Sequence, residues 1–199
     1  MKICFEDFNI ELRNTPIILS APHCRKQLRN GKIKKREIRT GTLVKDVASK
    51  TSSCCIYKTK FLNNDPNFDD NSTYREQLVE FISSNNIKCL LDVHGMRAER
   101  DEDICIGTGF LKNICNRSDI LNGITNIFES NGFKNVSIDI PFNASGKNII
   151  SSYISSKCNI PCFQIEINNK YRHIAYREFN YPGLINTFIQ IVNFLKNNL

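Results

Sequence analysis

Leu90-Leu91-Asp92-Val93-His94-Gly95 decides how this chain is read: a short apolar strand, Lys88 to Val93, ends in an imidazole and a glycine. The sequence then turns polar through Arg97, Glu99, Arg100 and Asp101. A titratable side chain at the carboxyl end of a buried strand is where open α/β sheets place their sites. Two further apolar runs end in similar chemistry. Ile17-Ile18-Leu19-Ser20-Ala21-Pro22 leads into His23, and Pro161-Cys162-Phe163-Gln164-Ile165-Glu166-Ile167-Asn168 sets a carboxylate between two isoleucines. Two histidines and a buried acid delivered by three strands suggest a hydrolytic metal site.

The rest of the composition narrows the class. The 199 residues are 41% hydrophobic and 24% charged, ordinary for a globular protein, and predict a single domain over 1–199. No apolar run approaches the roughly 20 residues that cross a bilayer, so no membrane partner is expected. The stretch Met1-Lys2-Ile3-Cys4 lacks the long apolar segment of a signal peptide, and a cytoplasmic protein is expected. Nine cysteines are scattered without a CxxC pair, which reads as small buried hydrophobes in a reducing compartment. The net charge is +7, densest between Arg25 and Arg39. That patch is either a solvated loop surface or part of a site for an acidic small molecule. No recognised nucleic-acid motif accompanies it, so nucleic acid is not an expected partner.

Read in order, residues 2–12 suggest an edge strand and Ile17 to Ser20 a central one. Pro22 to Arg36 is polar with a turn at Gly31, and Thr40 caps a helix from about Gly41 to Lys50. Cys54 to Tyr57 is a strand, 60–71 an Asn- and Asp-rich loop, and Ser72 or Thr73 the cap of a second helix. After the central Leu90 strand come a strand over Asp103–Gly107, a helix capped at Ser118-Asp119 and stopped at Asn131-Gly132, and a strand over Val136–Ile140. A helix over Ile149–Ser156, the strand Pro161–Asn168 and a C-terminal helix over about 182–197 complete the chain. Alternating strands and helices predict an α/β three-layer sandwich, its central sheet mostly parallel or mixed. The nearly continuous apolar strands fit an interior covered on both faces.

A catalytic zinc needs about three His, Glu or Asp ligands and an open position, with a further carboxylate to take a proton from water. Of the three histidines, His23 and His94 end strands, while His173 sits in a charged segment and reads as a rim residue. The third ligand is either Glu37, 14 residues after His23, or Asp92, which alternatively orients His94 from behind. Glu166 shares a strand face with Gln164 and Asn168. A carboxylate there is costly unless paired, for example with Arg172, or used as a general base. Cys24, beside His23, is an alternative thiol nucleophile, disfavoured because neighbours on a strand point to opposite faces.

Four segments in order, Ser20-Ala21-Pro22-His23, Asp65-Pro66-Asn67, Asp92-Val93-His94-Gly95 and Gln164-Ile165-Glu166-Ile167-Asn168, resemble the N-formylglutamate amidohydrolase family over roughly residues 15–175. That family is similar in fold to zinc carboxypeptidases and aspartoacylase-type deacylases. The resemblance implies one Zn2+ per chain on His23, Glu37 and His94, with Asp92 behind a ligand and Glu166 as the catalytic general base. It implies a small anionic N-acyl amino acid or short peptide as substrate, with Arg172, Asn67, Arg75 and Arg97 as candidate substrate-binding residues. The activity expected is that of an amidohydrolase acting on N-formylglutamate or a related compound. A metallopeptidase for short or γ-glutamyl peptides, and a non-catalytic protein binding an anionic ligand, are the other readings.

Overall fold

The computed structural model describes residues 1–199. In chain order its elements are β1 (Lys2–Cys4), β2 (Phe8–Glu11), β3 (Ile17–Ala21), β4 (Gln27–Arg29), β5 (Lys32–Lys34), α1 (Thr40–Thr51), β6 (Cys54–Lys58), α2 (Thr73–Ser84), β7 (Cys89–Met96) and β8 (Ile104–Gly107). They continue with α3 (Ser118–Ser130), β9 (Val136–Ile138), α4 (Ile150–Cys158), β10 (Cys162–Asn168), α5 (Asn169–Arg172) and α6 (Tyr181–Asn198). Eight strands form one sheet in the order β1-β2-β6-β3-β7-β10-β8-β9. The central four, β6, β3, β7 and β10, are parallel. Antiparallel pairings at β1/β2, β2/β6 and β10/β8 make the sheet mixed.

Helices cover both faces, as the unbroken apolar strands require. Ile17, Leu19, Leu91, Val93, Phe163, Ile165 and Ile167 point into the larger core, which α1, α3 and α6 close with Leu43, Val47, Ile124, Phe188 and Ile191. The alternate residues Ile18, Leu90 and Cys162 point into a smaller core closed by α2 and α4 through Leu78, Phe81, Ile150 and Ile154. Following that second face toward the carboxyl ends of the strands, the two-residue period continues but the chemistry changes. Ser20, Asp92, His94, Gln164 and Glu166 replace aliphatic side chains, all of them buried. One face of the sheet is thus core at one end and polar site at the other.

Several local expectations are corrected. Residues 2–12 form a hairpin, β1 and β2, because Phe5 N–H donates to the Phe8 carbonyl across the Glu6-Asp7 turn. The polar segment after Pro22 contains a two-stranded hairpin, β4–β5, turned by Asn30 and Gly31. Both turn residues have positive φ, 51° and 69°, the geometry of a type I′ turn. Thr40 is the first residue of α1 rather than its cap: Arg39 takes the cap position at φ 63°, and the Thr40 hydroxyl donates to the Glu37 carbonyl. Ser72 does cap α2, accepting from Arg75 N–H. Arg117, not Ser118, precedes α3. The strand from Val136 stops at Ile138, where Asp139 turns to accept hydrogen bonds from Thr108. The Leu90 strand runs on past His94 to Met96. All nine cysteines are free thiols. No helix is long and apolar enough to cross a membrane.

Candidate metal centre and active site

His23 leaves the end of β3 just beyond Pro22, and His94 comes from β7, the neighbouring parallel strand. Their rings meet edge to face at 4.8 Å. Glu37 reaches them because the β4–β5 hairpin folds the chain back: its backbone N–H donates to the His23 carbonyl at 2.9 Å. Its carboxylate then lies 3.0 Å from His23 Nδ1 and 3.5 Å from His94 Nδ1, and it accepts from Gly95 N–H at 3.0 Å. One ligand atom from each of His23, Glu37 and His94 falls within 4.8 Å of the others.

The far nitrogen of each ring is held by a buried carboxylate. His23 Nε2 donates to Asp65 Oδ1 at 2.8 Å, and His94 Nε2 donates to Asp92 Oδ2 at 2.9 Å. A carboxylate only accepts, so each Nε2 carries the hydrogen, and a neutral ring then turns the lone pair of Nδ1 toward Glu37. Two such carboxylate–imidazole pairs and one glutamate form a donor set that fits a metal ion. Asp92 lies behind His94 and is not among the three residues whose ligand atoms converge.

Electrostatics agree with this donor set. Burial lowers the pKa of His23, but the Glu37 charge and hydrogen bonds to Asp65 and Glu37 outweigh it and push it up to about 9. Burial likewise opposes charge on His94, and Asp92 and Glu37 override it, raising its pKa. Burial favours a protonated Glu37, yet the two imidazoles hold its carboxyl below the usual carboxylate range. Carboxylates that draw protons onto two buried rings present the field that attracts a cation in their place.

Glu166 stands across from His94 in the parallel β7/β10 register. It is 8% exposed and makes no ion pair; its contact is Gln164 Nε2, which donates to Oε1 at 3.3 Å. Burial pushes its carboxyl up to about 7, with Glu37 adding and His94, His23 and Arg172 opposing. A carboxyl with that pKa can take and return a proton near neutrality.

The four candidate substrate-binding residues divide. Asn67 lies behind His94 and not on its Glu37 side: its Nδ2 is 3.2 Å from the far nitrogen Nε2, and its Oδ1 accepts from Ile150 N–H at the start of α4. Arg75 is not available to a substrate, because its guanidinium is buried and donates to the carbonyls of Pro66, Asp69, Asp70 and Asn148. Arg172 is also spent, donating to the carbonyls of Ile38, Met96 and Ile167, and it makes no ion pair with Glu166. Its guanidinium lies over Gly95, 2.2 Å from where a Cβ would stand, so that position requires glycine. Arg97 is exposed just beyond β7. Cys24 is no nucleophile: it is buried, its thiol donates to the Lys58 carbonyl, and burial pushes its pKa up to about 11. His173 is half-buried on the rim.

Sequence reading gave Asp65 no role of its own, although it lies in the Asp65-Pro66-Asn67 segment. Asp65 is fully buried, and Arg29 holds its second oxygen at 2.7 and 2.8 Å. An Asx-rich loop is a signal for turns, and nothing in its spacing singles out Asp65; Arg29 carries no local signal at all.

No family model and no curated protein matches the chain by sequence. Solved structures do match by shape. N-formylglutamate amidohydrolase from Ralstonia eutropha JMP134 superposes with a TM-score of 0.72 at 12% identity, over 98% of this chain and 100% of that one. A bacteriophage poly-γ-glutamate hydrolase gives 0.62 at 17% identity, over 97% and 91%. A metallo-carboxypeptidase from Burkholderia cenocepacia gives 0.56 at 10% identity, over 96% of this chain and 61% of that one. The chain therefore has the mixed α/β sandwich fold that N-formylglutamate amidohydrolase shares with the metallo-carboxypeptidases.

Proposed function

We propose that this protein is a zinc-dependent amidohydrolase that cleaves the amide bond of an N-acyl amino acid such as N-formylglutamate. The observation that carries the reading is the convergence of His23, Glu37 and His94 beside a separate, unpaired and buried Glu166. A bound divalent ion supplies a Lewis acid for the scissile carbonyl and lowers the pKa of water in the site. His23, Glu37 and His94 hold it; Asp65 and Asp92 fix the two rings. Glu166 takes a proton from the attacking water as the new C–O bond forms and then gives it to the amide nitrogen, whose protonation lets the C–N bond break and the amine leave. Asn67, fixed by Ile150 N–H, backs the His94 ring. A γ-linked glutamyl peptide is the second substrate reading, supported by the similarity to the phage poly-γ-glutamate hydrolase across nearly the whole of both chains.

The test is metal content followed by turnover. Protein purified without a metal-affinity tag is expected to carry about one divalent ion per chain, lost on chelation along with hydrolysis of N-formyl-L-glutamate. His94→Ala is expected to lose the ion and keep the far-ultraviolet circular dichroism of the parent. Full metal content in that variant would show that the ligands are others. Absence of hydrolysis with either substrate class in loaded protein would leave the fold and remove the reaction.

A further inference from the structure

Next to Glu37 lies a cavity of about 530 Å³, walled by Cys24 and Arg25 after β3, the segment 36–39 with the start of α1, the end of β6 and the segment after α5. It falls within the roughly 300–1,000 Å³ of pockets that hold substrate-sized ligands. Of the proposed metal ligands Glu37 alone lines it, and through that residue it adjoins the centre. Its charge is lopsided: Arg25, Arg36, Arg39, Lys45 and Lys58 line it against one carboxylate, Glu37.

These cations differ in what already occupies them. Lys58 is closed, buried against Asp7 and Asn64. Arg25 and Arg39 each donate to backbone carbonyls, Arg39 also stacks on Phe179 and Tyr181, and Lys45 lies over the Tyr57 ring. None of Arg25, Arg36, Arg39 and Lys45 pairs with a carboxylate, although six other Lys and Arg side chains of the protein do. Gly41 and Thr42 of the first turn of α1 form part of the wall, and that turn has neither a capping side chain nor an acidic residue. Its leading backbone N–H groups therefore add to the positive field. Four unpaired cations and a helix start around one cavity form a receptor for several negative charges, more than one N-acyl amino acid carries.

We infer that this basic pocket is a substrate subsite for the successive carboxylates of an acidic chain, an oligoglutamate extending away from the scissile amide. The inference rests on the proposed hydrolase reading and sharpens it from a single acyl amino acid to a polyanion. The γ- and α-linked chains share the recognised chemistry, and binding separates them.

Binding by isothermal titration, with penta-γ-L-glutamate, penta-α-L-glutamate, N-formyl-L-glutamate and inorganic phosphate, tests it on the purified protein. One pentamer is expected to bind at least about tenfold more tightly than N-formyl-L-glutamate, and the tighter linkage names the chain. Raising salt is expected to weaken that binding. The double variant Arg36→Glu, Lys45→Glu is expected to lose at least about tenfold for the pentamer with its thermal melt retained, since both side chains are exposed. Lys45→Arg, which keeps the charge, is expected to bind as the parent does. Phosphate binding as tightly as either pentamer, or an undiminished pentamer affinity in the double variant, overturns the subsite. If loaded protein hydrolyses nothing yet the charge reversal still costs pentamer binding, the hydrolase reading fails and the subsite stands. If N-formyl-L-glutamate is cleaved and pentamer binding ignores the reversal, the subsite fails alone.

Discussion

Arg172 and Glu166 are both buried at the carboxyl edge of the same sheet, and both were candidates for chemistry, yet they are built in opposite ways. The Arg172 guanidinium has all three nitrogens engaged, on the carbonyls of Ile38, Met96 and Ile167, and lies over Gly95. The Glu166 carboxylate meets one weak donor, Gln164, and no counter-ion. A saturated charge fixes backbone; an unsaturated one keeps capacity for a proton, an ion or a substrate. The same contrast separates closed Arg75 and Lys58 from the unpaired Arg36 and Lys45.

The largest effect is expected where the unsaturated group is neutralised. Glu166→Gln keeps the shape and the Gln164 neighbour but cannot accept a proton. It is expected to lower kcat by about 10²–10⁴-fold, with metal content and melting temperature close to those of the parent. Steady-state kinetics on the loaded enzyme checks this, and an unchanged kcat would remove Glu166 as the base. Arg172→Met makes the opposite cut. It strands three backbone carbonyls in a dry site, so it is expected to cost stability, about 3 kcal/mol or more by chemical denaturation. A variant of parental stability with a KM raised only for anionic substrates would return Arg172 to substrate binding.

The contrast also explains what could be read from the sequence. Strands β3, β7 and β10 were legible because their two-residue period persists where the side chains turn from Ile18, Leu90 and Cys162 to Ser20, His94 and Glu166. The polar residues announced the site by being too expensive to bury idly. Glu37 was placed only through resemblance, because its position depends on the β4–β5 hairpin, and two three-residue strands, Gln-Leu-Arg and an exposed Lys-Ile-Lys, carry little pattern. The engagement of Arg75 and Arg172 is hidden from the sequence for a related reason. Residue type tells what an arginine can donate, while only the fold tells which carbonyls have already taken it. Asp65 escaped for the same reason in reverse, since its value comes from His23 and Arg29, 42 and 36 residues away.

The finest comparison is between the two carboxylates behind the rings. Asp65 has both oxygens engaged: Oδ1 by His23 Nε2 and Asn67 N–H, Oδ2 by Arg29. An amide in its place would turn an NH2 toward the Arg29 guanidinium or toward the ring N–H, and either choice loses a hydrogen bond and misaligns His23. Asp92 uses Oδ2 on His94 and leaves Oδ1 buried without a partner, so Asn there keeps the one hydrogen bond it makes and loses only charge. Both changes reduce the basicity of a ligand ring, for which losses of about 10–100-fold in metal affinity are typical. Asp65→Asn is expected near the upper end and Asp92→Asn near the lower, measured as zinc affinity in competition with a chelating dye. Equal losses would mean that the charge behind each ring, rather than its hydrogen-bond inventory, governs the hold on the ion.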